Sequence, residues 1–475
     1  MVFSISAEEK RIFDLISASA KEQDSPAYVV GGYVRDRLLG RPSKDLDVVC
    51  VGSGIELASS LASKLLPIPQ VTMFHRFGTA MIRHKGLEIE FVGARKESYQ
   101  WESRKPAVEN GTLQDDQNRR DFTINALAVS LNQNDFGSII DPFNGLYDLE
   151  QKVIRTPLHP DKTFSDDPLR MLRAIRFACQ LNFVISNEAL ESISKNAVRI
   201  HIISKERVTS ELNKILLSST PSYGFKLLLD TGLLQIIMPE LVALKGVEIR
   251  DNIGHKDNFY HTLEVVDNIR QDTQDLWLLW SALLHDIAKP QTKRFDPNIG
   301  WTFHGHEALG AVMVPRIFKK MRLPLDHKMR YVQKLVSLHL RPIALTNEYV
   351  TDSAVRRLLF DAGDDLDDLL TLCKADITSK NEGKVQKYKQ NYQNLLEKIK
   401  EIEERDHIRN WQPPISGEEI MKIFNLPPSR IVGILKSGIK DAILDGIIPN
   451  EYDAAYEHLI KIASFHQLSP TNTDK

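Results

Sequence analysis

Two hydrophobic periods divide this chain. From Tyr28 to about Ser130, short apolar runs of β character alternate with stretches of helical period: "AYVVGG", "DLDVVCVG", "TAMIRHKGLEIEFVGA" and "FTINALAVSLN". After "IIDPFNGLYDLEQKVIRT" the β signal fades, and from Asp166 onward apolar residues fall at i, i+3, i+4 and i+7 nearly throughout. The pattern predicts an α/β head on a small mixed sheet, then an all-helical remainder. Within that remainder "HKDNFYH" opens a His-rich segment, "SKNEGKVQKYKQ" is a polar run, and "NWQPPISGEE" is a break. We expect a head at 1–155, a helical neck at 156–245, a His-rich domain at 246–404 and a helical tail at 405–475.

Composition narrows the partners more than the fold. The 475 residues exceed what one core holds and predict several domains. Lys+Arg number 61 against 63 Asp+Glu, a net charge of -2, so a nucleic-acid partner must be met by a local basic surface. Cys50, Cys179 and Cys373 are far apart and form no CxxC pair, which predicts reduced thiols in a cytoplasmic protein. The start, "MVFSISAEEKRIFDLISASA", reads as a capped amphipathic helix and not a signal peptide. The stretch "LWLLWSALL" is far short of the roughly 20 residues that cross a bilayer, so no membrane segment is expected.

Candidate chemistry begins in "GGYVRDRLLGRPSKDLDVV". Asp45 and Asp47 lie on a predicted strand, where residues i and i+2 project from one face. Side-by-side carboxylates repel unless a cation lies between them, and hard oxygen donors suit Mg²⁺. Gly31 and Gly32 stand between a predicted strand and a predicted helix, where bare backbone N–H groups can cradle phosphate. A nucleotide whose phosphates meet the glycines and a bound Mg²⁺ satisfies both halves of the motif.

"GGYVRDRLLG…KDLDVV", "RRDFTINALA", "DDPLRMLRAIRF" and "SKERVTSEL", in that order, resemble bacterial tRNA nucleotidyltransferases, the CCA-adding enzymes of the class II, poly(A)-polymerase-like group. The resemblance implies that Asp45 and Asp47 hold two Mg²⁺ ions that activate the tRNA 3′-hydroxyl for attack on the α-phosphate of CTP or ATP. It also implies nucleotide contacts from Gly31, Gly32 and Arg35, and ribose and phosphate contacts from Arg120 and Asp121, with Asn125 alongside. Glu90 is either a third carboxylate near the metals or a solvent-facing strand residue.

Asp167 and Arg170 stand three apart in "DDPLRMLRAIRF", neighbours on one helical face. Cytosine and adenine each present an amino donor beside a ring-nitrogen acceptor, which a carboxylate and a guanidinium together satisfy. Uracil and guanine present the reverse and are rejected by opposed polar groups. This matches the family's [ED]DxxR motif, with Asp166 first. Pro168 also suits a first helical position, which would make Asp167 an N-cap. Arg173 and Arg176 continue the ridge, either toward phosphates or as a solvated basic face. The polar stretch "RKESYQWESRKPAVENGTLQDDQN" corresponds to the family's flexible loop for switching from C to A addition.

Further on, His261, His285, Asp286, His306, His339 and Asp376 follow the H…HD…H…H…D order of the HD phosphohydrolase superfamily. Imidazoles with carboxylates fit Mn²⁺, Ni²⁺, Co²⁺ or Fe²⁺. By resemblance His261, His285, Asp286 and Asp376 are metal ligands, His306 and His339 hold a second metal or the phosphate, and Lys289 contacts phosphate. His304 is the alternative to His306. The tail resembles the tRNA-elbow-binding segment of HD-containing CCA-adding enzymes. Expected partners are therefore tRNA, CTP and ATP, with the protein a monomer or homodimer. The competing readings are an enzyme that adds only A, a poly(A) polymerase, and an HD phosphohydrolase whose head only binds tRNA.

Overall fold

The β-branched run at Ala27–Val30 forms β1, and "DLDVVC" forms β2 at Asp45–Cys50, antiparallel to it with Val30 opposite Asp47. Residues 5–100, 103–251, 253–345, 350–378, 382–406, 408–409 and 411–471 are described by the computed structural model. The rest of the head sheet comprises β3 (Val71–Phe74), β4 (Thr79–His84), β5 (Leu87–Gly93), β8 (Ala128–Ser130) and β9 (Ile139–Ile140), in the order β3-β4-β5-β2-β1-β8-β9. β4 and β5 are a hairpin around Lys85 and Gly86, both in the left-handed region (φ 47° and 82°). β5 then lies parallel to β2 in an otherwise antiparallel sheet, so the expected mixed sheet is present. "FTINA" opens with a single 3-10 turn, and extended structure begins only at Ala128.

The polar stretch after β5 is not structureless. Arg95–Gln100 and Ser103–Asn110 form the antiparallel pair β6 and β7, followed by the helix Leu113–Asn118, capped by Thr112. Glu97, 4% exposed at its side chain, anchors the base of this hairpin to Arg95 at 2.8 Å and Arg119 at 3.5 Å.

The chain divides into two compact units, Met1–Val242 and Ala243–Lys475. In the first, the helix Leu169–Leu181 buries Met171, Leu172, Ala174, Ile175 and Ala178 and packs against the helix Lys205–Leu216. Both have the apolar stripe that the 3.6-residue period requires. In the second, the helices Asn258–Asp272, Leu276–Leu284, His306–Met321, His327–Leu338 and Leu366–Asp376 surround a core with Phe259, Trp280 and Phe318. The last three helices, Gly417–Phe424, Arg430–Leu444 and Tyr452–Phe465, close on Ile420, Leu435, Ile439, Ala455 and Leu459. Among the described residues no helix is long and apolar enough to cross a membrane.

Candidate active sites

Along β2 burial increases from exposed Asp45 through half-buried Asp47 to buried Val48–Cys50. The carboxylate pair therefore stands at the open end of the sheet. In the β2–β5 register Asp47 is opposite Glu90. Register partners on neighbouring strands share a face about 5 Å apart, so Glu90 stands beside Asp47. Burial raises the Asp47 carboxyl to about 6 against the pull of Arg120, and Glu90, Asp45 and Asp116 push the same way. Hard oxygen donors crowded to this degree fit a divalent cation, whose charge would relieve the crowding.

Gly31 has φ +77°, and a Cβ there would lie 2.8 Å from the Arg120 Nη1 and 3.6 Å from the Asp47 Oδ2. Only glycine meets both the backbone angle and the close approach. Arg120 is itself held by fully buried Asp116 at 2.9 Å and donates to the Asn125 carbonyl. Asp121 accepts from the Phe122 amide, Asn125 Nδ2 and Arg173 Nε at 2.9, 3.0 and 2.7 Å. Burial pushes its carboxyl up, but Arg173, Asn125 and Arg170 outweigh it and hold it at about 2.

The His-rich cluster is tighter. Nδ1 of His285, His306 and His339 each lies 2.7 Å from a backbone carbonyl, those of Ala282, Phe303 and Val336. Carbonyls accept only, so each Nδ1 carries its hydrogen and each Nε2 is free to face inward. There the Nε2 atoms of His285 and His306 lie 3.2 Å from the two oxygens of Asp286, and that of His339 lies 3.8 Å from Oδ1. His261 Nε2 is 2.9 Å from Asp376 and 3.7 Å from Asp286, its Nδ1 meeting the Thr378 hydroxyl at 2.8 Å. Lys289 Nζ sits 2.6 Å from Asp286. His261, His285 and Asp286 form one potential metal group and Asp286, His306 and His339 another, all buried. The buried His285 Nε2 makes no hydrogen bond. Burial would lower the His285 pKa, yet Asp286 and Asp376 raise it to about 10, a place for positive charge that a cation would take. Of the two alternatives His306 is the inward residue, and His304 is exposed.

Residues 27–155 match the Poly A polymerase head domain, 182–244 the probable RNA and SrmB-binding site of polymerase A, and 258–380 the HD domain. An A-adding tRNA nucleotidyltransferase of Aquifex aeolicus is 45% identical over 192 residues, 40% of this chain and 23% of that protein. The multifunctional CCA protein of Nitrosococcus oceani is 34% identical over 315 residues, 64% of this chain and 72% of that one. The chain belongs to the tRNA nucleotidyltransferase and poly(A) polymerase family. Its fold is that of the Bacillus stearothermophilus CCA-adding enzyme solved with CTP, at TM-score 0.66 and 23% identity over 98% of this chain and 99% of that one. The chain spans less than a quarter of the Aquifex protein's length.

Against the family's motifs, several residues sit differently from what the sequence predicts. Arg35 is buried, gripping Asp36 through two bonds of 2.9 Å and Asn125 Oδ1 at 2.7 Å. It braces the "RRDF" turn and is not open to a ligand. Arg176 is neither solvated nor free for phosphate: it lies over the Phe177 ring at 4.0 Å and pairs with Glu211 of "SKERVTSEL" at 2.6 Å. Breaking a buried pair strands a charge at about 3–5 kcal/mol. Glu211→Ala should therefore lower the unfolding midpoint by several degrees, read by calorimetry, and a change under one degree would remove this structural role.

Asp167 lies just before the helix, whose N-cap is Pro168, and its Oδ1 accepts from the Leu169 amide at 3.2 Å, with its carboxylate 4.0 Å from Arg207. Arg170 instead donates to the Arg119 carbonyl and lines a cavity of about 150 Å³ with Asn118, Arg119, Lys162 and Asp166. Three carboxylates share that cavity with Arg170, those of Glu97, Asp115 and Asp166, and burial pushes the Asp166 carboxyl up while Arg170 draws it down. The place of Asp166 at the head of the [ED]DxxR motif was the one available signal. Trp101 and Glu102 of the polar stretch lie outside the described residues.

Proposed function

We propose that this chain adds C, C and A to tRNA 3′ ends from CTP and ATP in the cytoplasm, releasing pyrophosphate, and that its HD site hydrolyses phosphate esters. The observation that carries the first part is the β2–β5 register, which sets Glu90 beside Asp47 under the bare backbone of Gly31. Asp45, Asp47 and Glu90 would hold Mg²⁺, which supplies charge neutralisation for attack of the 3′-hydroxyl on the α-phosphate. Arg120, facing Gly31, offers positive charge where the phosphates enter, and Asp121 orients Arg173 through the bonds described. Asp166, Asp167 and Arg170 read the base edge: carboxylate to the amino group, guanidinium to the ring nitrogen, which C and A satisfy alike.

At the HD site the inward Nε2 atoms, Asp286 and Asp376 would hold Mn²⁺, Ni²⁺, Co²⁺ or Fe²⁺, while Lys289 bears positive charge beside Asp286 for a substrate phosphate. A narrower reading, addition of A alone, is favoured by the 45% identity to an A-adding enzyme. Incubating the protein with Mg²⁺, CTP and ATP on tRNAs lacking CCA, ending in C or ending in CC separates the readings on a gel. Three added nucleotides on the first transcript support CCA addition. Extension of the CC-ending transcript alone supports the narrower reading, and long A tails or no extension sink both.

A further inference from the structure

Four histidines contribute to the HD cluster, and three of them are held alike. The Nδ1 atoms of His285, His306 and His339 each meet the backbone carbonyl three residues back along the chain. His261 is held differently: its Nδ1 lies 2.8 Å from the Thr378 hydroxyl, 117 residues away in sequence. A carbonyl can only accept a hydrogen bond, whereas a hydroxyl both donates and accepts. The three carbonyls therefore keep a hydrogen on each Nδ1, and Thr378 leaves His261 either tautomer.

Thr378 is itself fixed. It follows the helix Leu366–Asp376, and its amide donates to the Asp376 carbonyl at 2.7 Å. Lys256 Nζ donates to the Thr378 carbonyl and, at 2.6 Å, to its hydroxyl oxygen. An ammonium has no lone pair, so Lys256 occupies one of the two on Oγ1 and leaves the other, with the hydroxyl hydrogen, for His261. Lys256 immediately precedes Asp257, the N-cap of the helix that carries His261. The tie thus joins the start of that helix to the end of the one carrying Asp376, and farther along Asn268 Nδ2 donates to the Ala375 carbonyl at 3.1 Å.

These contacts set His261 Nε2 2.9 Å from Asp376 Oδ1. At that distance the carboxylate takes a hydrogen from Nε2, and in the neutral ring Nδ1 then accepts from Thr378. A cation at the same place needs the Nε2 lone pair. The ring hydrogen must then sit on Nδ1, and the hydroxyl must turn to accept it. A carbonyl in place of this hydroxyl would face a bare Nδ1 lone pair in the empty cluster and strand a polar atom of a buried ring. The ring is neutral in both states, so no proton is gained or lost. We infer that Thr378 is a positioning residue for the His261 metal group, its hydroxyl donating to His261 in the empty cluster and accepting from it when Nε2 serves a cation. The inference rests on the reading of the HD cluster as a metal site.

The test follows Mn²⁺ binding by titration calorimetry in the wild type, in Thr378→Val, which keeps the shape without the hydroxyl, and in Thr378→Ser, which keeps the hydroxyl. Thr378→Val should weaken the ion that Asp376→Ala removes at least about tenfold and leave any second ion as in wild type. Thr378→Ser should recover most of that loss. In the metal-free protein, ¹⁵N spectra of the histidine-labelled chain should place the His261 hydrogen on Nε2, the signal being assigned by its loss in His261→Gln. Any other protonation of that ring overturns the reversal of roles. Equal weakening of two ions in Thr378→Val, wild-type affinity in that variant, or no recovery with serine overturns the positioning role while leaving the metal site standing. A wild type that binds no Mn²⁺ overturns the metal reading, and the inference with it.

Discussion

Asp47→Asn should reduce nucleotide addition by at least about 10³-fold while leaving the metal-free protein more stable at neutral pH, not less. The loss follows from position. Asp47 is the one carboxylate with both Asp45 on its own strand and Glu90 beside it on the next, and asparagine keeps its volume but not its charge. The gain in stability follows from the same crowding. Burial, Glu90 and Asp45 raise its carboxyl from 3.8 to about 6 in spite of Arg120.

A carboxyl whose pKa is raised on folding weakens the fold in its ionised form. The cost is absent below about pH 4, grows through pH 6 and is complete above it, amounting to roughly 1–3 kcal/mol at neutral pH. In chelator, the variant's excess stability should appear at pH 7.5 and vanish near pH 4, read from denaturant midpoints. A variant less stable than wild type at pH 7.5 would mean Asp47 serves the fold and not a cation. Sites held under strain for catalysis commonly carry this trade of stability for function.

How far the sequence reached depends on what each inference needed. The face shared by Asp45 and Asp47 follows from strand period alone, and their pairing with the glycines needed only the strand, turn and helix order. Glu90 could not be placed, because its position depends on β5 docking parallel to β2 after a hairpin with β4, a pairing that local pattern does not encode. Arg173 and Arg176 look alike in a helical repeat, yet one reaches Asp121 and the other is consumed by Glu211, 35 residues further on. Charge on a ridge says nothing about what packs against it. The HD histidines were legible by their order, but which of His304 and His306 turns inward was decided by the left-handed turn at Gly305 (φ 80°) that starts the helix after His304. In the polar stretch before "RRDF" low hydrophobicity hid a strand pair, since the stretch lacks the apolar alternation that marks strands.

At the second site, Asp286→Ala should empty both metal groups, whereas Asp376→Ala should empty one. The two oxygens of Asp286 divide between the groups, Oδ1 toward His306 and His339, Oδ2 toward His285, His261 and Lys289. Among the described histidines Asp376 pairs with His261 and His285, at 2.9 and 3.6 Å. Protein loaded with Mn²⁺ and then dialysed should hold about two ions per chain as wild type, about one as Asp376→Ala and close to none as Asp286→Ala. Unfolding temperature supplies an independent reading, because an ion at 100 times its dissociation constant stabilises the folded chain by about 2.7 kcal/mol. Added Mn²⁺ should thus raise the midpoint of wild type most, of Asp376→Ala less and of Asp286→Ala hardly at all. Equal losses in the two variants would show that the histidines serve a single ion, and His306 and His339 would then be left to meet the phosphate.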